Sequence, residues 1–102
     1  MRSEWSTLVL EKDLVEKDIE ITRRALGKIV IAAPEKSHLR KIAEDFLLMA
    51  KSYFEDALHF YDAGDLVKAH GCINYAHGWI DAGARLGLFE TGGDNRLFTL
   101  LE

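Results

Sequence analysis

DLVKAHGCINYAHGWIDAGARLGLF, residues Asp65 to Phe89, is the stretch on which the fold turns. Apolar residues recur in it at three- and four-residue steps, so it reads as a helix, yet it carries Gly71, Gly78, Gly83 and Gly87. An interior glycine costs a helix about 1 kcal/mol relative to alanine, so each needs a compensating reason, such as close approach by a neighbour or a ligand. With successive residues about 100° apart around the axis, Leu66, Ile73, Ile80 and Ala84 share one line and Ala69, Ala76, Gly83 and Gly87 form the next. Cys72, Tyr75, Trp79, Ala82 and Leu86 continue round the same side. The repeat of Ala69, Ala76 and Gly83 predicts a seam along which another backbone approaches. Gly71 and Gly78 lie on a separate line beside the aromatic residues, and the same contact does not account for them.

Working upstream, Gly64 supplies the left-handed residue that ends a preceding helix, and Asp65 caps the next by accepting a hydrogen bond from the backbone N–H of Val67 or Lys68. That preceding helix is predicted from about Glu35 to Ala63. Ile42, Phe46, Met49, Tyr53, Ala57 and Phe60 form one apolar line, with Ala43, Leu47, Ala50, Phe54, Leu58 and Tyr61 beside it, an arc broad enough for two neighbours. The only proline, Pro34, interrupts the pattern over Ala32 to Ser37. Before it, Leu8, Val15, Ile19, Leu26, Ile29 and Val30 predict a first helix from about Thr7 to Ile31, capped by Ser6 or Thr7. Its other face carries Asp13 with Lys17 and Glu20 with Arg24 in the favourable acid-first order. Val30 and Ile31 are β-branched, but without alternation they read as helix, and no strand is expected. Downstream, Glu90 to Asn95 is a turn-rich stop, and the apolar RLFTLLE that follows is expected to form a short helix lying back over an exposed face. The expected architecture is all-α: one domain, an antiparallel three-helix bundle over 7–31, 35–63 and 65–89, with a short C-terminal apolar tail over 90–102.

Composition narrows the function classes. A chain of 102 residues with 48% hydrophobic content has room for one core. A net charge of -4 argues against a general polyanion binder. The single cysteine, Cys72, excludes an internal disulfide and reads as a small buried hydrophobe. No apolar run approaches the roughly 20 residues of a membrane span, and MRSEWSTLVLEKD lacks the apolar centre of a signal peptide, so a cytoplasmic protein without membrane association is expected. No cofactor motif is present in the sequence.

Three groups of residues carry possible chemistry. His70, Asn74, His77 and Asp81 step by four, three and four along one stripe, and in a hairpin pivoting at Gly64 they fall near Asp56 and His59, predicting a polar groove. His77 and Asp81 have a spacing that lets two ligands share a metal, but no second cluster completes a coordination sphere. Lys36, His38, Arg40 and Lys41 gather at a predicted helix N-terminus, where free N–H groups and positive potential favour a phosphate or an RNA backbone. Gly71, Tyr75, Gly78 and Trp79 make an aromatic and glycine-lined face suited to an interface, while the helical spacing of Tyr75 and Trp79 on an apolar face also reads as core or as residues covered by the tail.

From Ala50 onward the chain resembles a small archaeal family known as domain of unknown function 357. The pattern A-x-x-Y-x-x-D-A-x-x-F is matched by Ala50, Tyr53, Asp56, Ala57 and Phe60, and a G-D turn by Gly64 and Asp65. Y-A-x-G-W-x-D-A-G-x-R-L-G-L-F is matched from Tyr75 to Phe89. The resemblance implies a three-helix bundle of the albumin-binding-domain-like type and brings no activity, ligand or cofactor. A looser similarity to the helical HEPN modules implies nucleotide or RNA binding, but the R-x-x-x-x-H of their nucleases is lacking, since Arg85 is followed by Glu90. The leading expectation is a non-enzymatic module that binds a protein partner or itself, as a homodimer. Nucleotide or RNA binding comes second, and metal-assisted hydrolysis at His70, His77 and Asp81 third.

Overall fold

The computed structural model describes residues 4–92, with side chains from residue 11 onward. Three helices fill most of that span: α1 (Glu4–Lys28), α2 (His38–Asp62) and α3 (Leu66–Arg85). They pack in three levels. Val15 and Ile19 of α1 meet Ala57 of α2 and Ala69 and Ile73 of α3. Ala25 meets Ala50 and Ile80 at the next level. Ala43 closes the third with Leu88 and Phe89. From the first level to the second the residue numbers rise in α1 and α3 and fall in α2.

The tightest seam runs between α2 and α3. Ala43, Ala50 and Ala57 repeat every seven residues on one helix and Ala69, Ala76 and Gly83 on the other, and all six are buried. Side chains this small bring two backbones close and place the larger Ile73 and Ile80, both fully buried, between the helices. This is the seam the spacing of α3 predicts.

Both helix ends that bear a glycine stop in the same way. After α2, Gly64 has φ +81°, its N–H donates to Tyr61 O at 3.0 Å, and the N–H of Asp65 donates to Phe60 O at 2.9 Å. After α3, Gly87 has φ +77°, its N–H donates to Ala84 O at 3.1 Å, and that of Leu88 donates to Gly83 O at 2.9 Å. This double bond pattern needs a left-handed residue, which only glycine adopts without strain. Gly87 is therefore a helix stop and not a member of the packing seam. Asp65 caps α3 as expected, accepting from Lys68 N at 3.1 Å.

Several boundaries differ from the sequence expectation. α1 begins before Thr7, so Ser6 and Thr7 lie within it, and it ends at Lys28. The next residues form strand β1 (Val30–Ile31), which pairs antiparallel with β2 (Phe89–Glu90), Val30 opposite Glu90 and Ile31 opposite Phe89. The N–H of Ala32 extends the ladder by donating to Leu88 O at 2.9 Å. Pro34 biases the residue before it toward extended backbone, and β-branched Val30 and Ile31 suit that state. Two residues are too short a run to show alternation. α2 begins at His38 and not Glu35, because Ser37 takes the cap and accepts from Arg40 N at 3.0 Å. The turn before it is closed by a left-handed Lys36, φ 62°. α3 ends at Arg85, four residues before Phe89, because the Gly87 stop turns the chain into β2. The expected C-terminal tail helix lies outside the described residues.

Candidate functional site

The polar stripe of α3 meets α1, not α2. Thr22, 1% exposed, shares a hydrogen bond of 3.0 Å between its Oγ1 and His77 Nδ1. The other ring nitrogen of His77 lies 3.6 Å from Asp81 Oδ1. One turn earlier the Asn74 amide nitrogen is 3.2 Å from His70 Nε2, which lies 3.9 Å from Asp18 Oδ2. An open cleft of about 300 Å³ between the two helices is lined by Asp18, Thr22, Asn74, His77 and Asp81, with Ile21, Ile73 and Gly78. His70, Asn74, His77 and Asp81 thus lie along one α1–α3 edge as their spacing predicts. Asp56 and His59 do not line this cleft: His59 is exposed and stacks edge-on against Phe60, and Asp56 faces Cys72 closely enough for its charge to act on the thiol. The hairpin levels Asp56 with that part of α3, but on the other side of the helix.

A hydroxyl, an imidazole and a carboxylate in sequence invite comparison with an acid–base relay. The surroundings of Thr22 speak against it, because the residue is only 1% exposed at the base of the cleft and its hydroxyl is already engaged with His77. Its bond to His77 instead satisfies a polar group inside the apolar line Val15, Ile19, Thr22, Leu26 and fixes α1 against α3. Thr22 and Asp18 were not legible as partners of the stripe, although a polar residue in that apolar line was the available signal. Among the described residues no group of three His, Cys, Asp or Glu side chains is placed to hold a metal ion.

The basic cluster is partly committed elsewhere. The Arg40 guanidinium donates to Ala33 O at 3.2 Å and to Glu44 Oε1 at 3.3 Å, which ties the loop before α2 to its first turn. Lys36, His38 and Lys41 are exposed around it. Of the four residues expected to hold an anion, the one with the most directional donors is engaged within the fold.

The face of α3 that bears the unexplained glycines is open. A Cβ placed on Gly71 or Gly78 would meet nothing within 4 Å among the described residues. Between them Tyr75 is 51% exposed and stacks edge-on against Tyr53, ring centres 4.4 Å apart. Trp79 is half-buried, edge-on to Phe46 at 5.0 Å, and its buried indole Nε1 has no hydrogen-bond partner among the described residues. Tyr75, Gly78, Trp79 and Ala82 line an apolar groove of about 180 Å³. The stripe continues to Leu86, 66% exposed. Ala82 and Leu86 extend the expected interface, and their helical steps from Tyr75 and Gly78 were the signal for them. Cys72, expected to be buried, is half-buried next to this face, and burial, with the Asp56 charge second, pushes its thiol pKa up.

Comparison with protein families finds a match over residues 17–89 to a model described as "Protein of unknown function (DUF357)". Neither the curated proteins nor the solved structures give a significant match. No described helix is long and apolar enough to cross a membrane.

Proposed function

The chain belongs to the DUF357 family, and from its geometry we propose that it is a non-enzymatic protein-interaction module that associates with itself through the outer face of α3. In this reading the scaffold is an antiparallel three-helix bundle with α2 running against α1 and α3. One observation carries it: Gly71 and Gly78, which weaken the helix, face open space beside the exposed apolar side chains Tyr75 and Leu86. Nothing among the described residues repays those glycines, whereas a second surface lying on the helix needs their lack of a side chain. Nucleotide binding has no comparable support, since Arg40 is engaged within the fold.

Sedimentation equilibrium from micromolar to millimolar concentration tests the proposal. A reversible dimer is expected, lost on Gly78→Arg while the helical circular dichroism of the dilute protein is retained. A strict monomer at millimolar concentration overturns it.

A further inference from the structure

We draw no further inference here: the strongest candidate, the apolar groove of about 220 Å³ that Leu14 and Val15 of α1 form with Leu66 and Val67 of α3, carries nothing because no feature of the structure shows what covers it.

Discussion

Alanine substituted in turn for Gly71, Gly78 and Gly83 separates a glycine kept for packing inside the chain from one kept for something outside it. At Gly71 and Gly78 the new methyl group meets nothing within 4 Å among the described residues, and against these only the helix preference acts. Each substitution should stabilise the isolated chain by about 0.8–1.0 kcal/mol, and the pair should raise Tm by roughly 6–16 °C for a domain of this size. At Gly83 the methyl carbon would lie 2.2 Å from Phe89 Cε2, 2.6 Å from Cδ2 and 3.0 Å from Cζ. Carbon atoms rest about 3.5–4.0 Å apart, so the ring must move by more than an ångström. Phe89 is 4% exposed and packed with Ala43 and Leu88, which leaves little room. Overpacking of this kind costs about 1–3 kcal/mol, outweighing the helix gain and giving a net loss of up to about 2 kcal/mol. Urea denaturation followed by circular dichroism at low micromolar protein, where self-association adds no stability, measures all three. If Gly83→Ala stabilises as Gly71→Ala does, the Phe89 contact does not explain that glycine. If Gly71→Ala and Gly78→Ala destabilise the dilute chain, those two glycines serve its own fold and the external face loses its support.

Tyr61 donates to the Glu16 carboxylate, and that bond, with burial and the Glu16 charge behind it, pushes the phenol pKa up to about 12. The unfolded phenol titrates near 10, so its contribution is complete below pH 10 and is lost as pH rises through 12. Tyr61→Phe should therefore flatten the alkaline fall in stability between those values, as read from denaturation midpoints, and an unchanged profile would contradict the assignment. Burial raises the Cys72 thiol pKa, so its alkylation by iodoacetamide should be slower at neutral pH than that of a free thiol and should need a higher pH to accelerate. Lys36 holds a left-handed φ of 62° that a side chain disfavours, so Lys36→Gly should raise stability by about 0.5–1 kcal/mol in the same urea assay.

The helices were legible because long amphipathic runs and their caps depend on neighbours in sequence. Gly64 with Asp65 marked the α2–α3 turn, and the seven-residue repeat of Ala69, Ala76 and Gly83 marked the seam. What depended on distant partners was not legible. Val30 and Ile31 follow about seven turns of helix, and nothing local reveals that Phe89 and Glu90 will pair with them. Gly87 lies at the angle of the seam and differs from Gly83 only in backbone conformation. In the candidate site, the stripe from His70 to Asp81 follows from helical spacing alone, but whether it faces α1 or α2 depends on how the third helix docks. Asp56 and His59 were therefore assigned to the wrong side, and Thr22 was overlooked as an ordinary core position.

The short pairing of β1 with β2 bears on the order in which the chain assembles. It joins positions about 60 residues apart, whereas α2 and α3 meet across a single glycine turn. Closing the longer loop costs more chain entropy, and it is rewarded by only a few hydrogen bonds once α1 has docked. The hairpin of α2 and α3 is thus the unit that forms early, and the strand clasp is the last part to close and the first to open. Native-state hydrogen exchange should show this as early exchange of the Ala32 amide, bonded to Leu88, against slow exchange of Ile73 and Ala76. Equal protection of Ala32 and Ile73 would mean that the clasp and the hairpin open as one.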